Sequence, residues 1–420
     1  MTTDTDPVTV STVGALLKAV DAVVGEGPAV VGVEGRLTGV PGFTLPPGAA
    51  LVGAGPGAAL VFDGGDGLRL SRDNRVAELR LETAPAARAI HNDTSVDGLG
   101  TLELEQVSTL GRVELLARDA IGSGHVRIDG LDIEAADARE ATPRPRGFNV
   151  EVLQGAFTLY NQQPDPDTLI TCDLVGIGVG REGAPVRGGG IFVSGTVDGG
   201  RVEGRRLHTE TVHSDGGIPA GTPGRITGGV FVVYAAIREV VNEGPVTTYG
   251  VNDMVLDLWG EVESWTARGP VTSHGPSGIG FVSFGVIRRL TVAAPIETFG
   301  VGARGFNIYD GTVDTAEFDR IVTHADAAVG IQISKPFGTL TVHRGIETHG
   351  GVGESLVKGE LMRLAASALS LKEGSRALRI RIDGGITVRG AGVPAVEILG
   401  SVDVLDISGP VRALGGTQEE

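Results

Sequence analysis

Between residues 246 and 292 the chain runs VTT, MVLDLW, VESWTA, VTS, IGFVSF and VIRRLTV, short apolar stretches divided by glycine, proline and polar residues. Alternation at period two, rich in β-branched and aromatic side chains, predicts strands rather than helices. The runs also repeat. GPVTTYG, GPVTSHG and APIETFG end at Gly250, Gly275 and Gly300, and the pattern continues through Ala325, Gly350, Gly390 and Gly415. The long step from 350 to 390 places extra residues within about 351–385, where both SLVK and LSLK fit as the strand.

A fixed period of about 25 residues means a stacked repeat. Each rung holds three strand-like pieces, shown by PVTSHG, GIGFVSFG and VIRRLTVAA. Val246, Val271, Ile296, Ile321 and Ile346 form one inward column, and Leu256, Phe281, Phe306 and Ile331 another. A strand lying on its counterpart one rung later must be parallel to it. The expectation is therefore an all-β parallel β-helix forming one domain over 1–420. A leucine-rich repeat lacks its Leu and Asn spacing here, and a propeller needs four strands in a longer repeat. VTVSTVGALLKAVDAVV, residues 8–24, has helical spacing after a Ser or Thr cap and predicts a capping α-helix. Residues 142–147, 216–224 and about 351–385 read as inserted loops. Gly260, Gly285 and Gly311 fill the tight turn after the second strand, where a positive φ is expected.

Composition narrows the function. The chain has 67 glycines and 21 prolines, with 41% hydrophobic residues, enough to bury a core between frequent turns. A net charge of −17, without basic runs interleaved with aromatics, excludes a nucleic-acid groove and an anionic membrane surface. No apolar stretch is long enough to span a bilayer, and the start lacks a signal pattern. The expected location is the cytoplasm, or outside the cell if the N-terminus is truncated. The single cysteine, Cys172, rules out an internal disulfide framework and reads as a small buried apolar residue. GVGREG and GAGPGA are not followed by helices and do not make phosphate loops.

Three strands per rung, a tight turn after the second and an N-terminal helical cap resemble the right-handed parallel β-helix of the pectin-lyase-like superfamily. The resemblance is architectural and covers nearly the whole chain. The paired-Asp motif of polygalacturonases and the calcium carboxylates of the lyases are missing, so no catalytic role is carried across. It implies a carbohydrate-active enzyme: a lyase, a glycoside hydrolase, or an intramolecular transferase resembling the trimeric inulin fructotransferases.

Two outward columns hold candidate chemistry. The first strand exposes Thr247 and Tyr249, Thr272 and His274, Glu297 and Phe299, Val322 and His324, Glu347 and His349, with His213 and Asp215 from an earlier rung. A carboxylate beside imidazoles can tune a general acid or base, so His274, Glu297, His324, Glu347 and His349 are the catalytic candidates, with Tyr249 and Phe299 contacting substrate. The same column also reads as a ladder of stacked planar side chains. Strand neighbours alone do not complete a metal shell at His324, His349 and Glu347, so neither metal nor cofactor is expected. The second strand exposes Phe192, Phe231, Asp257, Trp259, Val282, Phe284, Asn307, Tyr309, Gln332 and Ser334. Asp257, Trp259, Asn307 and Tyr309 would suit sugar stacking and hydrogen bonding. Equally, this apolar strip would be buried, either in a homo-oligomer such as a trimer or under the 351–385 insertion. Asp310 and Lys335 are placed to pair across the tight turn. The alternatives to a carbohydrate enzyme are a non-catalytic binding or structural β-helix and an intracellular enzyme acting on a small natural product.

Overall fold

The computed structural model describes residues 8–23, 29–357 and 360–415. The helical reading over 8–24 is corrected at its start. Val8–Val10 is a strand pairing in parallel with 31–33, and the helix occupies Val13–Ala22. Thr12 caps it, its hydroxyl accepting the Ala15 N–H at 3.2 Å, and Leu16 and Val20, one turn apart, are buried over the first rungs. Position 24 lies outside the described residues.

The rest is a parallel β-helix. Second strands stack into one long parallel sheet that includes 253–258, 279–283, 304–308, 329–333, 369–371 and 396–398. First and third strands stack in the same sense on the remaining sides. Both inward columns have the predicted register: Val246, Val271, Ile296, Ile321 and Ile346 lie in line, as do Leu256, Phe281, Phe306 and Ile331. All nine are buried in one continuous core.

Glycine at the column position is set by crowding between rungs. A Cβ on Gly275 would lie 1.7 Å from the Gly250 carbonyl oxygen. At the tight turn only Gly311 has a positive φ, +70°. Gly260 and Gly285 are required instead by close approach, since a Cβ on either would meet the carbonyl oxygen one rung earlier at 2.0 or 2.1 Å.

The C-terminal insertion is smaller than expected. It is an antiparallel hairpin, Val352–Val357 with Glu360–Ala365, whose positions 358 and 359 lie outside the described residues. LSLK carries the rung strand, Leu369–Leu371, while SLVK belongs to the hairpin. The loop expected at 142–147 extends into a strap: Arg146–Gly147 pairs with Val150–Val152, which then joins 225–233. Strap and hairpin lie over the outer face of the second-strand sheet and close a second apolar cluster there.

Candidate functional site

The first-strand column is a ring ladder. Tyr249, His274, Phe299 and His324 stack with centroids 5.1, 5.0 and 4.5 Å apart and planes within 8°. His349 follows at 4.8 Å, tilted by 45°. His213 is in register with Thr247 but reaches diagonally, its Nδ1 3.1 Å from the Tyr249 hydroxyl. Glu297 lies 2.7 Å from His324 Nε2 and Glu347 lies 3.0 Å from His349 Nε2. Glu347 also accepts from Arg320 and Arg389 at 2.7 and 2.8 Å. Rings in such a ladder cover one another's faces and leave only their edges to solvent. Tyr249 and Phe299 therefore offer no flat platform to a sugar, and none of the five cavities described on this structure is lined by the ladder. The predicted residues are brought together, in the arrangement of a stacked ladder.

The second-strand strip is covered, in part by the 351–385 insertion as one of its readings expected, and this corrects its reading as an open sugar-binding face. Asp257 and Asn307 are fully buried, and Trp259 and Tyr309 nearly so. The cover comes from the same chain. Phe148 of the strap stacks on Phe284 at 4.3 Å and meets Trp259 edge-on at 5.1 Å. Its backbone has φ +51°, unfavourable for a bulky residue and held here by those contacts. Among the described residues neither Asp257 oxygen has a hydrogen-bond partner, and burial pushes this carboxyl well above its usual range. The expected Asp310–Lys335 pair forms at 3.3 Å on the surface, and Cys172 is buried, its thiol pushed up to about 12.

Followed toward the N-terminus, the column that holds Asp257 runs back through Phe231, Phe192, Thr158, Glu114, His91 and Arg69 to Thr44. Here it is uncovered, and it opens into a polar cavity of about 160 Å³. Arg69, Arg88, His91, Asn92, Asp93, Thr94, Glu114, Leu116 and Arg118 form its walls. Asn92 fixes the floor, donating to the Leu116 carbonyl at 2.9 Å and accepting the Leu116 N–H at 2.7 Å. Glu114 is held between Arg88, 3.1 Å away, and Arg112, 2.5 Å away, and Arg88 also pairs with Asp66. Arg69 is different: its Nε donates to Thr44 at 2.7 Å, and among the described residues no carboxylate pairs with it. Arg118 has, among the described residues, only Asp119 as an ion-pair partner, at 3.5 Å.

His91 sits at the centre. Its Nδ1 is buried without a hydrogen-bond partner among the described residues. Burial, followed by the charge of Arg88, brings the imidazole down to about 4, so it is neutral at physiological pH. A neutral imidazole among guanidinium groups can accept a proton from a bound anion. Among the described residues no group of His, Cys, Asp or Glu is arranged to hold a metal. The sequence reading missed this cluster because the N-terminal rungs depart from the 25-residue period; the signal available was the outward alternation of GLRL, AIHN and VELL. Comparison with protein-family models, with curated proteins and with solved structures gives no match.

Proposed function

We propose that the protein is a carbohydrate-active enzyme that acts on a sugar acid, one ring at a time, in the polar cavity of the N-terminal rungs. One observation carries the reading: His91 lies partly buried in a cavity with two lightly engaged guanidinium groups, its Nδ1 without a hydrogen-bond partner among the described residues. The volume suits a single ring rather than a long glycan.

The chemistry follows from the charges. Arg69 and Arg118 would hold the carboxylate, and neutralising it acidifies the hydrogen on the adjacent carbon. The bound anion in turn offsets the field of Arg88 and raises the basicity of His91, so the base strengthens when substrate arrives. His91 takes the proton and the electron pair moves into the carboxylate as an enediolate. Collapse with loss of the β-oxygen, which leaves with the proton that His91 took, forms a carbon–carbon double bond; delivery of a proton from solvent water to the opposite face, with release of the one on His91, gives the epimer. The architectural resemblance to pectin-lyase-like helices agrees with this class of substrate, although fold alone does not assign activity.

The test is incubation with free uronates, uronate-terminated oligosaccharides and neutral glycans in deuterated water. Unsaturated product or deuterium beside the carboxylate is expected for the acids only, and His91→Ala should abolish it. Binding of the acids without turnover would instead support a non-catalytic binding protein. No interaction with any acid would overturn both readings.

A further inference from the structure

Toward the C-terminal rungs, the same sheet face carries a second constellation that does not depend on the His91 cavity. Arg304 begins the strand Arg304–Ile308 and is 0% exposed. Its Nη1 donates to the carbonyls of Gly302 and Leu356 at 3.3 and 3.4 Å, and its Nε reaches Gln332 at 3.5 Å. These contacts are long for a charged donor. Among the described residues Nη2 has no hydrogen-bond partner and no carboxylate forms an ion pair with this guanidinium. The Tyr309 ring, with its centroid 5.8 Å from the guanidinium carbon, is its nearest π face. A buried, always-charged group normally has an anion beside it, because desolvation is otherwise uncompensated.

Arg304 itself lines no cavity, but the Leu356 carbonyl that it contacts belongs to a residue with space on its far side. Leu356 and Ser277 line two cavities at once. The inner one, about 40 Å³, is apolar, with Met254, Ile279, Val282 and Tyr309 in its wall. The outer one is a groove of about 480 Å³ between the loop around Thr222 and the 352–365 hairpin, with Val301 and Leu361 exposed along it. Among the described residues Glu354 is the one charged residue lining the groove. It would repel a carboxylate left at the mouth and favour the orientation with the head group inward.

We propose that this groove binds a small monocarboxylate with an apolar body, its carboxylate paired with Arg304 in place of the long contact to the Leu356 carbonyl. Leu356 is kept in place by its pairing with Leu361 in the hairpin and by its N–H, 3.4 Å from Ser277 Oγ, so the head group replaces one long carbonyl contact and leaves the hairpin paired.

The experiment is calorimetric titration of the full chain with octanoate and, separately, with octanol. Octanoate should bind saturably and at least tenfold more tightly than the alcohol. Arg304→Gln should remove that difference. Leu361→Glu, at a residue 69% exposed and outside the core, should weaken octanoate at least tenfold without affecting folding. Glu354→Gln should strengthen octanoate severalfold and leave octanol unchanged. Equal affinity for acid and alcohol, octanoate binding unchanged by Leu361→Glu, or no binding of either would overturn the proposal. If Arg304→Gln does not fold, the Leu361 and Glu354 variants decide it.

Discussion

Lowering the pH should destabilise the protein through His91, and the size of the effect follows from its surroundings. The imidazole stands near 4 in the folded chain because it is partly buried and Arg88 and Arg69 are close; an unfolded histidine titrates near 6.5. The folded state thus binds fewer protons than the unfolded state between these values, and stability rises with pH through that window. It is fully present above about 6.5 and is lost as pH falls toward 4. The whole difference is worth about 3 kcal/mol, of which about 2 kcal/mol is gone by pH 5. Carboxylates titrate over the same range, so the measurement is a comparison: urea unfolding of wild type and His91→Gln at pH 7 and pH 5. The variant has no imidazole to protonate, and the stability difference between the two proteins should shift by about 2 kcal/mol in its favour at pH 5. A saturating uronate should shrink the shift, because its charge offsets the arginines. Parallel pH dependence of the two proteins would refute the assignment of His91 as a neutral group held by its surroundings.

Asp253 should behave in the opposite sense. It is buried, with Oδ2 accepting from Gly216 and Gly250 at 3.0 and 2.7 Å, and it is pushed up to about 7, first of all by burial. Its contribution is present at low pH and lost as pH rises through 7, so Asp253→Asn should gain about 2–3 kcal/mol on wild type between pH 5 and pH 8 in denaturant unfolding. In the ladder, Phe299→Ala removes two ring contacts and should cost about 1–3 kcal/mol, while turnover of a sugar acid stays unchanged; lost turnover would return the catalytic role to that face. The joint variant Glu297→Gln with His324→Ala should likewise affect thermal stability alone. Gly275→Ala places a methyl group against the Gly250 carbonyl and should lower the melting temperature far more than Gly224→Ala, where nothing lies within 4 Å of the added carbon and φ is not positive; similar losses would show that the turns do not pack this tightly.

The sequence by itself determined the parallel β-helix, its rung period and both inward columns, because stacking identical rungs forces one residue type into each place. The same repetition predicted that Tyr249, His274, Phe299, His324 and His349 share a face. What those rings do was decided in three dimensions: at near-parallel spacings of about 5 Å their faces are spent on one another. Alternation also placed Asp257, Trp259, Asn307 and Tyr309 outward, but outward is not exposed. The strap at 146–152 and the hairpin at 352–365 are far away in sequence and break the repeat, so their return over that face has no periodic signature. The polar cavity escaped for a related reason. Arg69, His91 and Glu114 are neighbours through register alone, and only the folded stack buries the imidazole and brings it close to the arginines, which together hold it neutral.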